Sequence, residues 1–115
     1  MPHFVIDCSK DILERQEPNA VLLQIHNDVN NSGLFDETDI KVRLNPFMDN
    51  YLVGGKEMAF IHVFANIMEG RTTEQKANLS RQVITGLKTM FPNVPFIAIN
   101  VRDFGKATYC NKSMI

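Results

Sequence analysis

Residues 60–87, FIHVFANIMEGRTTEQKANLSRQVITGL, decide the fold. Ile61, Val63, Ala65 and Ile67 fall on one face and Phe60, His62, Phe64 and Asn66 on the other. That period of two is the signature of a strand. At Glu69-Gly70-Arg71 the period changes. Thr72 and Gln75 stand at the spacing of a capping box, and Glu74 suits the positive end of a helix. The helix is expected to turn Ala77, Ser80, Val83, Ile84, Leu87 and Phe91 inward. Gly86 inside it costs about 1 kcal/mol against alanine, which close packing on a sheet would explain. PNVP, residues 92–95, ends the helix, and FIAINV, residues 96–101, is a further strand with Ile97, Ile99 and Val101 facing in.

The first half of the chain has the same plan. Phe4, Ile6 and Cys8 alternate in FVIDC as in a half-buried strand. The polar stretch SKDILERQE leads to Pro18, a residue suited to the first turn of a helix. Val21, Leu22, Ile25 and Val29 recur at helical spacing, and Asn31-Ser32-Gly33 supplies the stop. In DIKVRLNPF, residues 39–47, Ile40, Val42 and Leu44 oppose Lys41, Arg43 and Asn45. DNYLVGGKE, residues 49–57, is a turn-rich connector hinged at Gly54-Gly55. The chain is therefore a single α+β domain over 1–115. It has two β-α-β halves, about 1–48 and 56–105, and a C-terminal tail.

Right-handed crossovers with parallel strands would give one four-stranded sheet with two helices on one face. The other face would then carry Phe60, Phe64 and Phe96 beside His62, Asn66, Lys41 and Arg43. This is too apolar for open solvent, and no residues remain for a second layer. Partner subunits are the expected cover.

The 115 residues suit one compact domain with a modest core. A formal net charge of −1 offers no electrostatic footprint for nucleic acid or an anionic membrane. The apolar runs are strand-sized, too short to span a bilayer, and no basic segment with an apolar stretch marks secretion. Cys8 and Cys110 lack C-x-x-C spacing and read as reduced thiols of a cytoplasmic protein. His3, His26 and His62 show no metal-ligand spacing, so neither metal nor other cofactor is expected.

Two motifs sit in the two halves of the duplicated plan: MPHF at the amino terminus of the first and EGR before the helix of the second. The stretch IHVFANIMEGRTTEQKANLSRQVITGL resembles the opening strand and helix of 4-oxalocrotonate tautomerase. MPHFVIDCS, the length and the duplicated plan resemble the 5-carboxymethyl-2-hydroxymuconate isomerase family of the tautomerase superfamily. The resemblance runs from Met1 to about residue 105. It implies a homotrimer whose sheets enclose a barrel, which would cover the open sheet face. It also implies keto–enol isomerisation of a carboxylated dienol such as 5-carboxymethyl-2-hydroxymuconate.

On that resemblance Pro2, freed of Met1, is the general base. A free α-amino group has a pKa of roughly 8, and burial or nearby cations lower it. Phe4 and the aromatic sheet face would supply the desolvation, and Lys41, Arg43 and Arg71 the charge. Arg71 matches the family arginine that binds a substrate carboxylate. A cation at a helix N-terminus is electrostatically misplaced, and a bound anion would make sense of it. The resemblance puts an arginine where this chain has Lys41, with Arg43 two residues on and on the same face. Lysine neutralises a carboxylate but lacks the planar fork of arginine, so either residue is a candidate for the second cationic contact. Without the resemblance, Pro2 is simply a strand start, Arg71 an exposed helix-start residue, Lys41 and Arg43 a polar interface edge, and His62 a hydrogen-bonded interface residue. Two further readings fit the same order of elements: a non-enzymatic ferredoxin-like domain binding a small molecule, and a signalling protein resembling macrophage migration inhibitory factor.

Overall fold

The computed structural model describes all of residues 1–115. The strands are β1 (His3–Ser9), β2 (Lys41–Phe47), β3 (Phe60–Met68) and β4 (Phe96–Phe104), and the helices are α1 (Ile12–Arg15), α2 (Pro18–Asn31) and α3 (Thr73–Met90). The sheet order is β2-β1-β3-β4, with β1 parallel to β2, β3 parallel to β4, and β1 antiparallel to β3. The two β-α-β halves thus meet at their first strands. The ferredoxin-like arrangement, with its antiparallel sheet, is not what forms, because each half pairs its own two strands in parallel.

Alternation in the strands sets the core. Phe4, Ile6 and Cys8 of β1 and Ile61, Val63, Ala65 and Ile67 of β3 are fully buried beneath Val21, Ile25 and Val29 of α2 and Leu79, Val83 and Leu87 of α3. The inner stripe of α3 is therefore centred on 79, 83 and 87, at i,i+4 spacing, with Phe91 closing it. Leu79 belongs at its centre, while Ala77, Ser80 and Ile84 flank it and are only half-buried. The polar stretch before Pro18 also holds a core residue: the one-turn α1 buries Ile12 completely.

The local signals act as their chemistry requires. Thr72 Oγ1 accepts from Gln75 N at 3.1 Å and Gln75 Oε1 accepts from Thr72 N at 2.8 Å, the reciprocal capping box. Gly54 and Gly55 adopt φ +57° and +83° in a tight turn closed by bridging of Val53 to Lys56. Positive φ at both central positions is inexpensive only for glycine and a few polar residues. The tail beyond β4 forms two 3-10 turns, Lys106–Thr108 and Lys112–Met114, and is held by stacking of Tyr109 on Phe104 at 5.5 Å.

Gly86 is explained by the neighbouring helix rather than by the sheet. A Cβ there would collide with Asp28 Oδ2 of α2 and lie 3.1 Å from Gln24 Nε2. The Asp28 carboxylate accepts from Gln24 at 3.1 Å, and burial raises its pKa against the opposing effect of that bond. Gly86→Ala gains about 1 kcal/mol of helix propensity but has to displace this carboxylate. In an Asp28→Ala background the obstacle is gone. Gly86→Ala should then stabilise by nearly the whole propensity gain, and by clearly less when Asp28 is present. Urea titrations of the four chains measure the difference, and equal gains in both backgrounds would remove Asp28 as the limit on helix approach.

Candidate functional site at the amino terminus

Pro2 is buried at the head of β1. Its carbonyl accepts from Lys41 N at 3.1 Å, so the ladder with β2 extends one residue beyond the strand proper. By the alternation of β1, Pro2 lies on the Phe4 side, facing the helices, while His3, Lys41 and Arg43 point from the opposite face. The amino terminus therefore sits where the two faces meet. The pKa of its amine is held below the ordinary value first by burial and also by the charges of Arg71 and Lys41, against an opposing pull from Asp39. The charges of Arg71 and Lys41 thus both reach the amine of Met1.

Arg71 is far from a loose helix-start side chain. It donates to Leu34 O at 2.8 Å and to Met68 O at 3.2 Å, and its guanidinium carbon lies 4.6 Å from the centroid of the Phe35 ring. Phe35 in turn meets Phe4 edge-on at 6.4 Å. A guanidinium has five N–H donors. Two serve to pin residues 34–35 against the end of β3, and the others have no carbonyl or carboxylate partner in the chain. Gly70, at φ +124°, gives the backbone the bend that sends Arg71 toward that loop.

Lys41 Nζ donates to Asp39 O at 3.1 Å and lies 3.7 Å from Met1 Sδ. Arg43 is one register row further from the terminus, paired with Val5. It leans back toward the terminus, with Nη1 3.1 Å from His3 Nδ1. Both cations are exposed.

The apolar surroundings of Pro2 differ in part from expectation. Phe4 is there with Phe35 as its companion, and of the aromatic sheet face only Phe64 comes near, opposite Val5 in the row next to His3. That face has Phe60 beside Phe96, and Phe60 lies near Phe47 and Tyr51. Because β3 runs antiparallel to β1, His3 faces Asn66, and Phe60 is about 20 Å further along at ~3.3 Å per residue. Sequence reasoning passed over Phe35, Leu34 and Asp39. The only local sign was their place between the α2 stop and β2, where a loop has to return to the head of the sheet. His62 takes the hydrogen-bonded role expected of it, 2.6 Å from Asn100 Oδ1 and against Phe64 at 4.4 Å. Burial pushes the Cys8 thiol up to about 11, which leaves it a core side chain and a poor nucleophile.

The single chain has no enclosed cavity around this cluster. Its largest hollow, about 500 Å³, lies between α2 and α3 and is lined mainly by polar side chains such as Gln24, Asp28 and Gln82. The amino-terminal cluster instead forms an open rim, built from both halves of the chain.

The sequence profile of the 5-carboxymethyl-2-hydroxymuconate isomerase family matches residues 2–100. A 5-carboxymethyl-2-hydroxymuconate Delta-isomerase of Escherichia coli is 25% identical over 93 residues, covering 79% of this chain and 73% of the relative. Among solved structures, a 5-carboxymethyl-2-hydroxymuconate isomerase from Deinococcus radiodurans superposes with a TM-score of 0.80 at 22% identity, covering 96% of this chain and 88% of that one. A fused 4-OT wild-type symmetric trimer gives 0.80 at 16% identity, covering 96% and 91%. At these identities the superpositions establish the tautomerase fold and leave the chemistry to the site. Since the family profile spans Pro2, both β-α-β halves and most of the sheet, the chain belongs to the 5-carboxymethyl-2-hydroxymuconate isomerase family.

Proposed function

We propose that the protein is a tautomerase that moves a proton between oxygen and carbon of a carboxylated dienol such as 5-carboxymethyl-2-hydroxymuconate, with Pro2 as its base. The observation that carries this reading is the amino terminus itself, half-buried at Met1 and buried at Pro2, with Arg71 and Lys41 lowering the pKa of its amine. While Met1 is present the Pro2 nitrogen is an amide and no base. Removal of Met1 turns it into a secondary amine and carries the free amine one residue deeper into the protein. Desolvation and the two cations then favour its neutral form, which a general base requires.

The reaction follows from that placement. The amine takes the hydroxyl proton of the dienol, and the resulting ammonium returns a proton to carbon, giving the unsaturated ketone. Atoms and charge balance without a metal or nucleotide. Arg71 holds one carboxylate and stabilises charge on the displaced oxygen, and Lys41 or Arg43 neutralises the second. Three copies would close the open rim and the bare sheet face, in keeping with the symmetric trimer of the fused 4-OT structure. Light scattering at micromolar concentration should give a mass of three chains, and a stable monomer would contradict this assembly.

Processing gives the sharpest test of the base. Chain verified by intact mass to lack Met1 should ketonise 2-hydroxymuconate-type dienols, while chain retaining Met1 should be inactive with the assembly intact. Full activity with Met1 in place would refute the mechanism, because an amide nitrogen takes no proton near neutral pH.

Arg71→Ala should lose about 2–4 kcal/mol of transition-state stabilisation, the scale of one preorganised electrostatic contact. Its two carbonyl bonds are lost as well, so stability should fall by about 1–2 kcal/mol. The pH dependence isolates the electrostatic role. The guanidinium lowers the amine pKa, so without it the acidic limb of the pH–rate profile should move to higher pH. An unmoved limb together with native kcat/KM would remove Arg71 from the site.

A further inference from the structure

We infer that His3 is the positioning residue for Arg43: its neutral imidazole accepts a hydrogen bond from the guanidinium and holds it at the Pro2 end of the sheet, ready for a substrate carboxylate. The inference rests on the amino-terminal site proposed above and assigns the second cationic contact within it.

The donor chemistry fixes the arrangement. A guanidinium can only donate, so the 3.1 Å contact between Arg43 Nη1 and His3 Nδ1 makes Nδ1 the acceptor. The imidazole is then neutral, with its proton on Nε2. Register alone would leave Arg43 beside Val5. The bond draws it one row toward the terminus, where His3 lies between Lys41 on β2 and Asn66 on β3. Free arginine side chains carry large rotamer freedom, and a fixed acceptor removes much of it before substrate arrives.

The surroundings keep that acceptor available. From β2 His3 faces Lys41 and Arg43, and from β3 the uncharged Asn66, with Arg102 of β4 next in the same row. Along its own strand the nearest charge on this face is Asp7, whose carboxylate accepts from Asn45 at 3.1 Å. Burial first, then Arg43, Lys41 and the amino terminus, hold the His3 pKa below its ordinary value. The charges that act on the ring are all positive. Protonation would both remove the acceptor and set a cation against Arg43, so the contact exists above the imidazole pKa and is lost as pH falls through it.

The test has a spectroscopic arm and a kinetic arm, both on full-length chain lacking Met1. Nitrogen-15 NMR of the histidines should show the His3 tautomer with the proton on Nε2, and Arg43→Met should raise the His3 pKa. A proton on Nδ1, or a pKa unmoved by Arg43→Met, would overturn the proposal. Kinetics with 2-hydroxymuconate should show KM raised about tenfold by His3→Leu, with kcat falling less, as expected for the loss of one charge-assisted contact. His3→Asn places an oxygen near the position of Nδ1, and should restore most of the lost affinity without the acid-side rise in KM. KM within about twofold of native in His3→Leu, or no rescue by His3→Asn, would overturn the proposal. Should unmutated chain turn over no dienol, the Pro2 reading fails, and the spectroscopic arm still decides the Arg43–His3 contact.

Discussion

The placement of β1 at the centre of the sheet is the constraint on which the site depends. Chain termini usually fray unless something ties them down. Here the first strand pairs on both sides, parallel to β2 and antiparallel to β3. Phe4, Ile6 and Cys8 bury their side chains completely beneath the helices. At about 1.5–3 kcal/mol for a fully buried large apolar side chain, Phe4 and Ile6 alone hold the head of the strand firmly. The ladder bond from Lys41 N to Pro2 O then fixes the residue before the strand. A base borne on the backbone nitrogen has no side-chain rotamers, so its precision is that of the strand.

The two halves of the chain complete the site from different directions. The first half gives the terminus, Lys41 and the loop carrying Leu34 and Phe35. The second gives Arg71 at the junction of β3 and α3. The guanidinium spans the halves by binding carbonyls of both Leu34 and Met68. On the proposed reading, anion recognition and the joining of the two units are therefore parts of one side chain. Any substitution of Arg71 has a structural effect as well as a chemical one, which is why a pH profile says more about it than a loss of rate.

Much of this was legible in the sequence because its causes are local. Alternation in FVIDC, DIKVRLNPF and FIHVFANI gave the buried and open faces of the sheet, and Thr72-x-x-Gln75 gave the start of α3. What was not legible depends on contacts distant in sequence. Leu79 and Ile12 were missed as core residues, the first because the α3 stripe is centred on an i,i+4 row, the second because a single turn shows no period. The reason for Gly86 lay in Asp28, on another helix. Arg71 read as a carboxylate binder or an exposed helix-start residue, and nothing local shows that Leu34 would return beside it. Lys41 and Arg43 looked equivalent from their shared face. The lean of Arg43 onto His3 and the bond of Lys41 to Asp39 O separate them.

The open sheet face is graded from one end to the other, and the gradient constrains any assembly that covers it. Across the Pro2 end run Lys41, His3, Asn66 and Arg102, and the next row holds Arg43, Val5, Phe64 and Asn100. At the far end Phe47 and Phe60 lie near each other, with Phe96 beside Phe60. Removing aromatic surface from water is favourable, whereas desolvating unpaired cations costs several kcal/mol per ion. A partner surface can therefore close tightly over the aromatic rows but has to leave the cationic rows hydrated or supply them with anions. The same sheet thus separates its cationic row from its aromatic end by about 20 Å along its strands. The end that resists burial is the end where Pro2 lies, and a carboxylated substrate is the kind of ligand that would satisfy it.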